Sequence, residues 1–308
     1  MTSSRHLGLD LGGTQLKWAV LERVDGTWSR LATDLVPTRV DAGADGLVDQ
    51  LAEMAVASAA EWGPIASAGL GVPGRYDAAR GLVLLTPNIP VRWAGERVVA
   101  RLEAAVHVPV HLLNDARAFT LAELRLGAGR GAQTLVGMTL GTGVGGGLVI
   151  GGSLYLGQDG AAGEIGHQTI DPEGPLCNCG NRGCVEAYAR AEAIAAICGT
   201  ASVEQAVRAA EAGDARARSG LAQVGRYLGI GLANIVTVLT PDRVVVGGGV
   251  ATAGEILFGP IRAELHERVR LAGSIPAEVV PAELGIWAGA IGAAIHGAEA
   301  GEQLAGSA

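Results

Sequence analysis

Lysine is almost missing from this 308-residue chain: of its 23 basic residues only Lys17 is a lysine. The shortage removes most lysine chemistry. There is no G-x-x-x-x-G-K-[ST] segment, so the chain is not a P-loop enzyme. Cysteine is scarce too, with four residues, too few for a disulfide scaffold in a chain this long. A basic surplus is absent: the formal net charge of −8 argues against a nucleic-acid partner, though not against an anion held by backbone N–H groups. Long apolar runs are missing as well. "MTSSRHLGLDLGG" has no apolar h-region, which predicts no signal peptide. "YLGIGLANIVTVL" (Tyr227–Leu239) is too short to span a bilayer and carries Asn234. These absences predict a soluble, cytoplasmic protein with no membrane partner.

Glycine is abundant, at 48 residues without a collagen-like period, so many tight turns are expected. The length predicts two domains. "HLGLDLGGTQLKWAVLE" (His6–Glu22) reads as strand, glycine turn, strand. A helix at Ala44–Trp62, a strand at Ile65–Gly74, a helix at Arg97–Val106, a strand at Val108–Ala116 and a helix closed by Gly127 follow. The pattern then restarts with "TLVGMTLGTGVGGGLVIGGSLYL" (Thr134–Leu156). Helices are expected at Ala187–Cys198, Val203–Glu211 and Ala217–Leu239, a strand at Asp242–Val250, and helices at Glu255–Arg270 and Ile286–Ala298. The tail from Gly297 reads as frayed. "LDLGGT" and "MTLGTG" occupy equivalent places in two similar halves, which predicts a duplicated α/β architecture with a cleft between the halves.

Three glycine turns have the composition of phosphate cradles. Gly12, Gly13 and Thr14 form the first, with Asp10 at the strand end placed to hold water on Mg²⁺. Gly141, Thr142 and Gly143 open the second, and two such turns facing one another would grip a triphosphate. The third, at Gly248 and Gly249, suits flat packing against a base or ribose. Lys17 joins this nucleotide set. "GTGVGG" also fits G-x-G-x-x-G, but strand-like "LVIGGSLYL" follows where a dinucleotide fold needs a helix.

"HLLNDA" puts Asn114 and Asp115 at the end of a buried strand, where open α/β sheets collect ligands. Asp115 could take a proton from an attacking hydroxyl while Asn114 orients the substrate; alternatively Asp115 only caps the next helix. His167, Cys177, Cys179 and Cys184 fit H-x9-C-x-C-x4-C, a closed Cys3His zinc set of structural type. The alternative is buried thiols without a ligand, and Cys198 reads as core. Glu164 and Glu186 stand at the two ends of this loop. A metal would pin both carboxylates in one pocket suited to sugar hydroxyls; otherwise they are solvated loop charges.

"LDLGGT", "GLGVPG", "TPNIP", "LLNDA", "GTGVGGG", "GEIGH", "CNCGNRGCVE" and "VVVGGGV" together resemble the ROK family of sugar kinases and repressors, in particular its bacterial glucokinases. The resemblance implies a duplicated actin-like/hexokinase-like (ribonuclease H-like) α/β fold. Residues 1–117 would form a small domain with helix 286–300 packed on it, and 118–285 a large domain with the zinc loop. It further implies that Asp115 is the catalytic base and that Gly74, Asn88, Asn114, Glu164, His167 and Glu186 line the sugar site. The partners implied are ATP with Mg²⁺ and a hexose phosphorylated at its 6-hydroxyl, with glucose first. N-acetylglucosamine, N-acetylmannosamine, fructose or allose remain as other acceptors, and polyphosphate as another donor. Family members are commonly dimers or tetramers. The repressor branch needs an N-terminal helix-turn-helix, for which a strand starting by Leu7 leaves no room. Two departures bear on the sugar. "NDARAFTLAE" carries Arg117 and Phe119 where small or amide residues are usual, and the stretch after Asn88 lacks the Asn that commonly follows its Trp.

Overall fold

A computed structural model describes residues 2–93, 97–271 and 277–306. The chain divides into two compact units: Met1–Leu126 with Gly157–Gly160 and Ile286–Ala308, and Gly127–Leu156 with Ala161–Gly285.

In the first unit β1 (Ser3–Leu11), β2 (Gln15–Val24) and β3 (Thr27–Pro37) form an antiparallel meander. Helix α1 (Gly43–Trp62) leads to β4 (Ser67–Val72), a hairpin of β5 (Arg75–Asp77) and β6 (Leu82–Leu85), α2 (Val98–Val106), β7 (Val110–Asn114) and α3 (Asp115–Leu126). The sheet order is β3-β2-β1-β4-β7, with β4 parallel to both β1 and β7. Every residue of β4, "SAGLGV", is buried, as expected for a parallel strand covered on both faces. The edge strand β3 is mostly exposed or half-exposed.

The second unit repeats this plan. Strands β8 (Leu135–Leu140), β9 (Val144–Ile150) and β10 (Ser153–Tyr155) form the meander. Helices α4 (Val185–Ala189), α5 (Ala191–Cys198), α6 (Val203–Glu211) and α7 (Ala215–Leu239) precede β11 (Arg243–Gly247), α8 (Glu255–Arg268) and β12 (Glu278–Pro281). The order β10-β9-β8-β11-β12 corresponds strand for strand to the first sheet, with β11 parallel to β8 and β12. The duplication read from the two glycine turns is therefore present in the backbone. The core of this unit gathers Val136 and Met138 of β8, Leu221, Leu228 and Leu232 of α7, and Leu257 and Ile261 of α8. Among the described residues α7 alone is long and apolar enough to cross a membrane, and more than half of its apolar window is buried inside the unit.

Four expectations need correction. The helix expected over residues 187–198 is two helices, because Arg190 is extended at φ −71°, ψ 155° between α4 and α5. Helix α8 ends at Arg268 rather than residue 270, with Val269 leaving the helical region as its C-cap. The first unit runs to Leu126 rather than stopping at residue 117, because α3 packs along α9 (Ala288–Gly306). From Gly297 to Gly306 the tail is not frayed, since α9 continues through Gly306, and residues 307 and 308 lie outside the described residues. Its charges find arginines: Glu299 takes two bonds from Arg125 at 2.7 and 3.2 Å, and Glu302 pairs with Arg23.

Helix α9 also shows where the small residues of "GIWAGAIGAAIHGA" go. A methyl on Gly8 would stand 1.8 Å from the Ala290 carbonyl oxygen, and one on Gly292 would stand 1.7 Å from that of Ala118. Helix, sheet and α3 thus approach more closely than any Cβ allows, and this stripe is used inside the first unit.

Candidate active site

The first glycine turn carries its own charges. Asp10 on β1 is buried and lies opposite Lys17 on β2, with Lys17 Nζ 3.2 Å from Asp10 Oδ2. Gly12 N–H donates to Gln15 O at 3.1 Å, the Thr38 hydroxyl donates to Gly12 O at 2.7 Å, and Thr14 is exposed at the tip. A methyl on Gly13 would meet Asn88 O at 2.5 Å, so the exposed Asn88 and the turn lie side by side. Gly74, at φ +82°, packs on the same loop through Leu85 O and Pro87. Asp10 also lies against the first turn of α9, where a methyl on Gly289 would stand 2.6 Å from Oδ2. The helix N-terminus favours a carboxylate there.

Asn114 and Asp115 divide the work at the start of α3. Asn114 Oδ1 accepts the N–H groups of Ala116 at 3.1 Å and Arg117 at 3.3 Å, so Asn114 makes the helix cap. Asp115 Oδ1 accepts the Ala116 N–H at 2.9 Å, and among the described residues no side chain bonds its carboxylate. Its pKa is pushed up to about 7, first by burial and then by the nearby charge of Asp10, against the opposing pull of the Ala116 N–H and Arg117. A carboxylate poised near neutrality is suited to accept a proton. Tyr76 on β5 escaped the sequence reading. Burial raises its pKa, against the opposing pull of Arg117 and of the Asn114 backbone N–H nearby. No motif marks it; only the hairpin that brings it to β7 does.

The second turn has no acid in its own strands. The β1 register places Asp10 two positions before Gly12, and the equivalent residue before Gly141 is Thr139. Gly141 N–H donates to Gly143 O at 3.0 Å, and Thr142 is exposed. The carboxylate here arrives from elsewhere: Glu186 Oε2 accepts the Val144 N–H at 2.9 Å. Gly248 and Gly249 follow β11 beside this turn, and a methyl on Gly248 (φ +93°) would stand 2.1 Å from Leu140 O.

The four expected metal ligands converge. His167, Cys177, Cys179 and Cys184 each offer one ligand atom, all within 4.8 Å of one another. Cys179 Sγ lies 3.7 Å from Cys184 Sγ, and Cys177 Sγ lies 3.7 Å from His167 Nδ1. Zinc bonds of about 2.3 Å to sulfur and about 2.0 Å to nitrogen give tetrahedron edges of about 3.8 and 3.5 Å, so the set fits a tetrahedral ion. All four cysteines are free, and Cys198 packs in the core of the second unit. The Cys184 thiol is pushed up to about 12 by burial and its sulfur neighbours, a state that a divalent cation would reverse. The loop closes through Cys177 N–H to Asn181 O at 2.8 Å, and Gly183, at φ +63°, leaves no room for a Cβ beside Asp171 O. His167 Nε2 turns the other way and faces Glu164 Oε2 at 3.9 Å. Glu164 is exposed, while Glu186 is mostly covered.

Sequence and structure comparisons place these features in one family. The ROK family model matches residues 6–298. A glucokinase of Thermotoga maritima is 35% identical, with 96% of this chain and 97% of that protein covered. The crystal structure of a ROK hexokinase from Thermus thermophilus superposes with a TM-score of 0.85 at 37% identity, covering 97% of this chain and 99% of that one. A ROK family glucokinase from Streptomyces griseus, solved with glucose and AMPPNP, gives 0.79 at 34% identity, covering 96% and 100%. The duplicated sheets, the glycine turns and the Cys3His loop are thus those of a chain that belongs to the ROK family.

Proposed function

We propose that the protein phosphorylates a hexose at its 6-hydroxyl with ATP, and that glucose is the preferred acceptor. The observation that carries this reading is the division of labour at α3: Asn114 caps the helix, so the Asp115 carboxylate, raised toward neutrality, is left for substrate. Asp115 takes the proton of the 6-hydroxyl as its oxygen bonds to the γ-phosphorus and the bond to ADP breaks. The transition state is loose, so aiming the hydroxyl matters more than early proton removal.

Backbone N–H groups of Gly13 and Gly143, in turns that the Gly12 and Gly141 N–H groups close, bind phosphate oxygens together with the hydroxyls of Thr14 and Thr142. Lys17 adds a positive charge, and Gly248 and Gly249 accept the nucleoside. The carboxylate oxygens of Asp10 fit Mg²⁺. Asp10 would hold Mg²⁺ through water, neutralising phosphate charge. Glu164, Glu186, the free face of His167, Asn88 and the backbone of Gly74 recognise sugar hydroxyls. His167, Cys177, Cys179 and Cys184 would hold a zinc ion with no open position, which folds the loop rather than activating water. Such thiolates persist in a reducing cytoplasm.

A coupled ADP-release assay across hexoses and N-acetylhexosamines tests this. Sugar-dependent ADP release, fastest with glucose, is expected. Fastest turnover with an N-acetylhexosamine moves the assignment to that acceptor, and no sugar-dependent release overturns the kinase reading.

A further inference from the structure

One side chain joins the cysteine loop to the second glycine turn. Glu186 lies two residues beyond Cys184, in the first turn of α4. Its Oε2 accepts the Val144 N–H at 2.9 Å, while Oε1 lies 3.7 Å from Cys177 Sγ and 4.0 Å from His167 Nδ1. The turn is shaped around this carboxylate, because a methyl on Gly143 would stand 2.4 Å from Oε2. A second fastening runs beside it, from the Ala191 N–H at the start of α5 to Gly141 O at 3.1 Å. Both ends of the Gly141–Val144 turn are therefore tied to the segment that begins at Cys184. The Glu186 side chain is only 14% exposed, so a charge-assisted bond from Val144 is little screened by water.

We propose that Glu186 is a positioning residue for the nucleotide, through which metal loading of the cysteine loop sets the affinity of the phosphate turn even when no sugar is bound. The proposal rests on the kinase reading above. The Val144 N–H held by Glu186 cannot serve a phosphate. What it supplies is a fixed turn, from which the exposed Thr142 presents its donors without an ordering cost at the moment of binding. Without metal, the segment from Cys184 to Glu186 loses its anchor and the turn loses this support. Linkage then requires the converse: nucleotide must tighten the metal by the same factor.

Titration calorimetry with a non-hydrolysable ATP analogue and Mg²⁺, without sugar, tests the idea on metal-replete wild type, chelator-stripped wild type, Glu186→Ala and Glu186→Gln. Stripping the metal and Glu186→Ala should each weaken nucleotide binding about tenfold, the scale of one hydrogen bond to a charged group. Glu186→Gln keeps an oxygen for the Val144 N–H, so its nucleotide affinity should stay within about twofold of wild type although its sugar affinity falls. Stripping the metal from Glu186→Ala should add less than about twofold, because the connection is already cut. The analogue should also raise the chelator concentration that removes half the metal from wild type by about tenfold.

Unchanged affinity in stripped wild type overturns the proposal, as does a full second tenfold loss on stripping Glu186→Ala, or a Glu186→Gln variant as weak as Glu186→Ala. If Glu186→Ala fails to hold metal or to fold, the stripped wild type, Glu186→Gln and the reciprocal metal titration still decide. A replete wild type that binds no nucleotide overturns the kinase reading along with this one. Normal wild-type binding with no effect of stripping sinks this proposal alone.

Discussion

The two glycine turns stand at equivalent places in two copies of one sheet plan, yet they get their carboxylate differently. The first has Asp10 in its own strand, paired across the ladder with Lys17 and set against the N-terminus of α9. The second has Thr139 at the equivalent place and takes its carboxylate from Glu186, forty-two residues away, at the end of a cysteine loop. The difference teaches that duplication preserved the backbone cradle but not the source of charge. In one half the charge comes with the strand; in the other it depends on a loop that a metal would hold.

The largest effect expected on the first side of this contrast is at Asp115. Asp115→Asn should lower kcat by about 10²–10⁴-fold, the usual contribution of a general base, while calorimetry shows sugar affinity within a few-fold of wild type. The same variant tests the electrostatics. A carboxyl whose folded pKa stands above its unfolded value of 3.8, at about 7, binds more protons when folded between those two values. Its contribution is therefore lost as pH rises through that window, and above it the charged form opposes folding. Asp115→Asn should accordingly raise the thermal midpoint at pH 8 and not at pH 3.5. A midpoint that falls at pH 8 would show the carboxylate to be a stabilising cap after all.

Second in size is the loss of Asp10. Asp10→Asn should cost turnover through weaker Mg²⁺ holding. It should also shift the acid limb of kcat/KM, expected near pH 7 in wild type, toward lower pH, because the second cause of the raised Asp115 pKa is gone. A limb that stays in place would separate the two carboxylates electrostatically. On the second side of the contrast, Cys179→Ser should lose the metal and weaken sugar binding together, read by metal analysis and calorimetry. If the first turn is as self-contained as its Asp10–Lys17 pair implies, this change leaves the pH at the midpoint of the acid limb where it was.

What the sequence made legible follows the same divide. Strand-local chemistry could be read directly: "LDLGGT" gave the first turn, "LLNDA" the end of β7, and the Cys3His spacing is met by ligand atoms within 4.8 Å. Relations between distant segments could not be read. Nothing in "VEAY" says that Glu186 reaches Val144, and nothing in "RYD" says that Tyr76 meets Asn114, because both depend on how loops return to the sheet. The break at Arg190 was hidden because one extended residue does not disturb helical periodicity over twelve positions. Asn114 and Asp115 are both good cap residues, so composition could not decide which of them caps α3.

The misread tail gives the smallest effect and the most local test of the first unit. "GAEAGEQLAGSA" has the composition of a solvated end, and only the fold shows that Glu299 meets the fork of Arg125 on α3. Both side chains are about one quarter exposed, at 27% and 26%. Water screens such a pair, but the bidentate geometry places it above the median surface ion pair. Arg125→Gln should therefore cost about 1 kcal/mol or less, seen as a small fall in the thermal midpoint that shrinks further at high salt. Gly292→Ala, in the same helix, meets the Ala118 carbonyl oxygen at 1.7 Å and should cost at least about 1–3 kcal/mol. If the two changes cost the same, the charged end of α9 holds the helix as firmly as its glycine seam. A much larger loss at Gly292 assigns the anchoring of α9, and with it the seat of Asp10, to close packing rather than to charge.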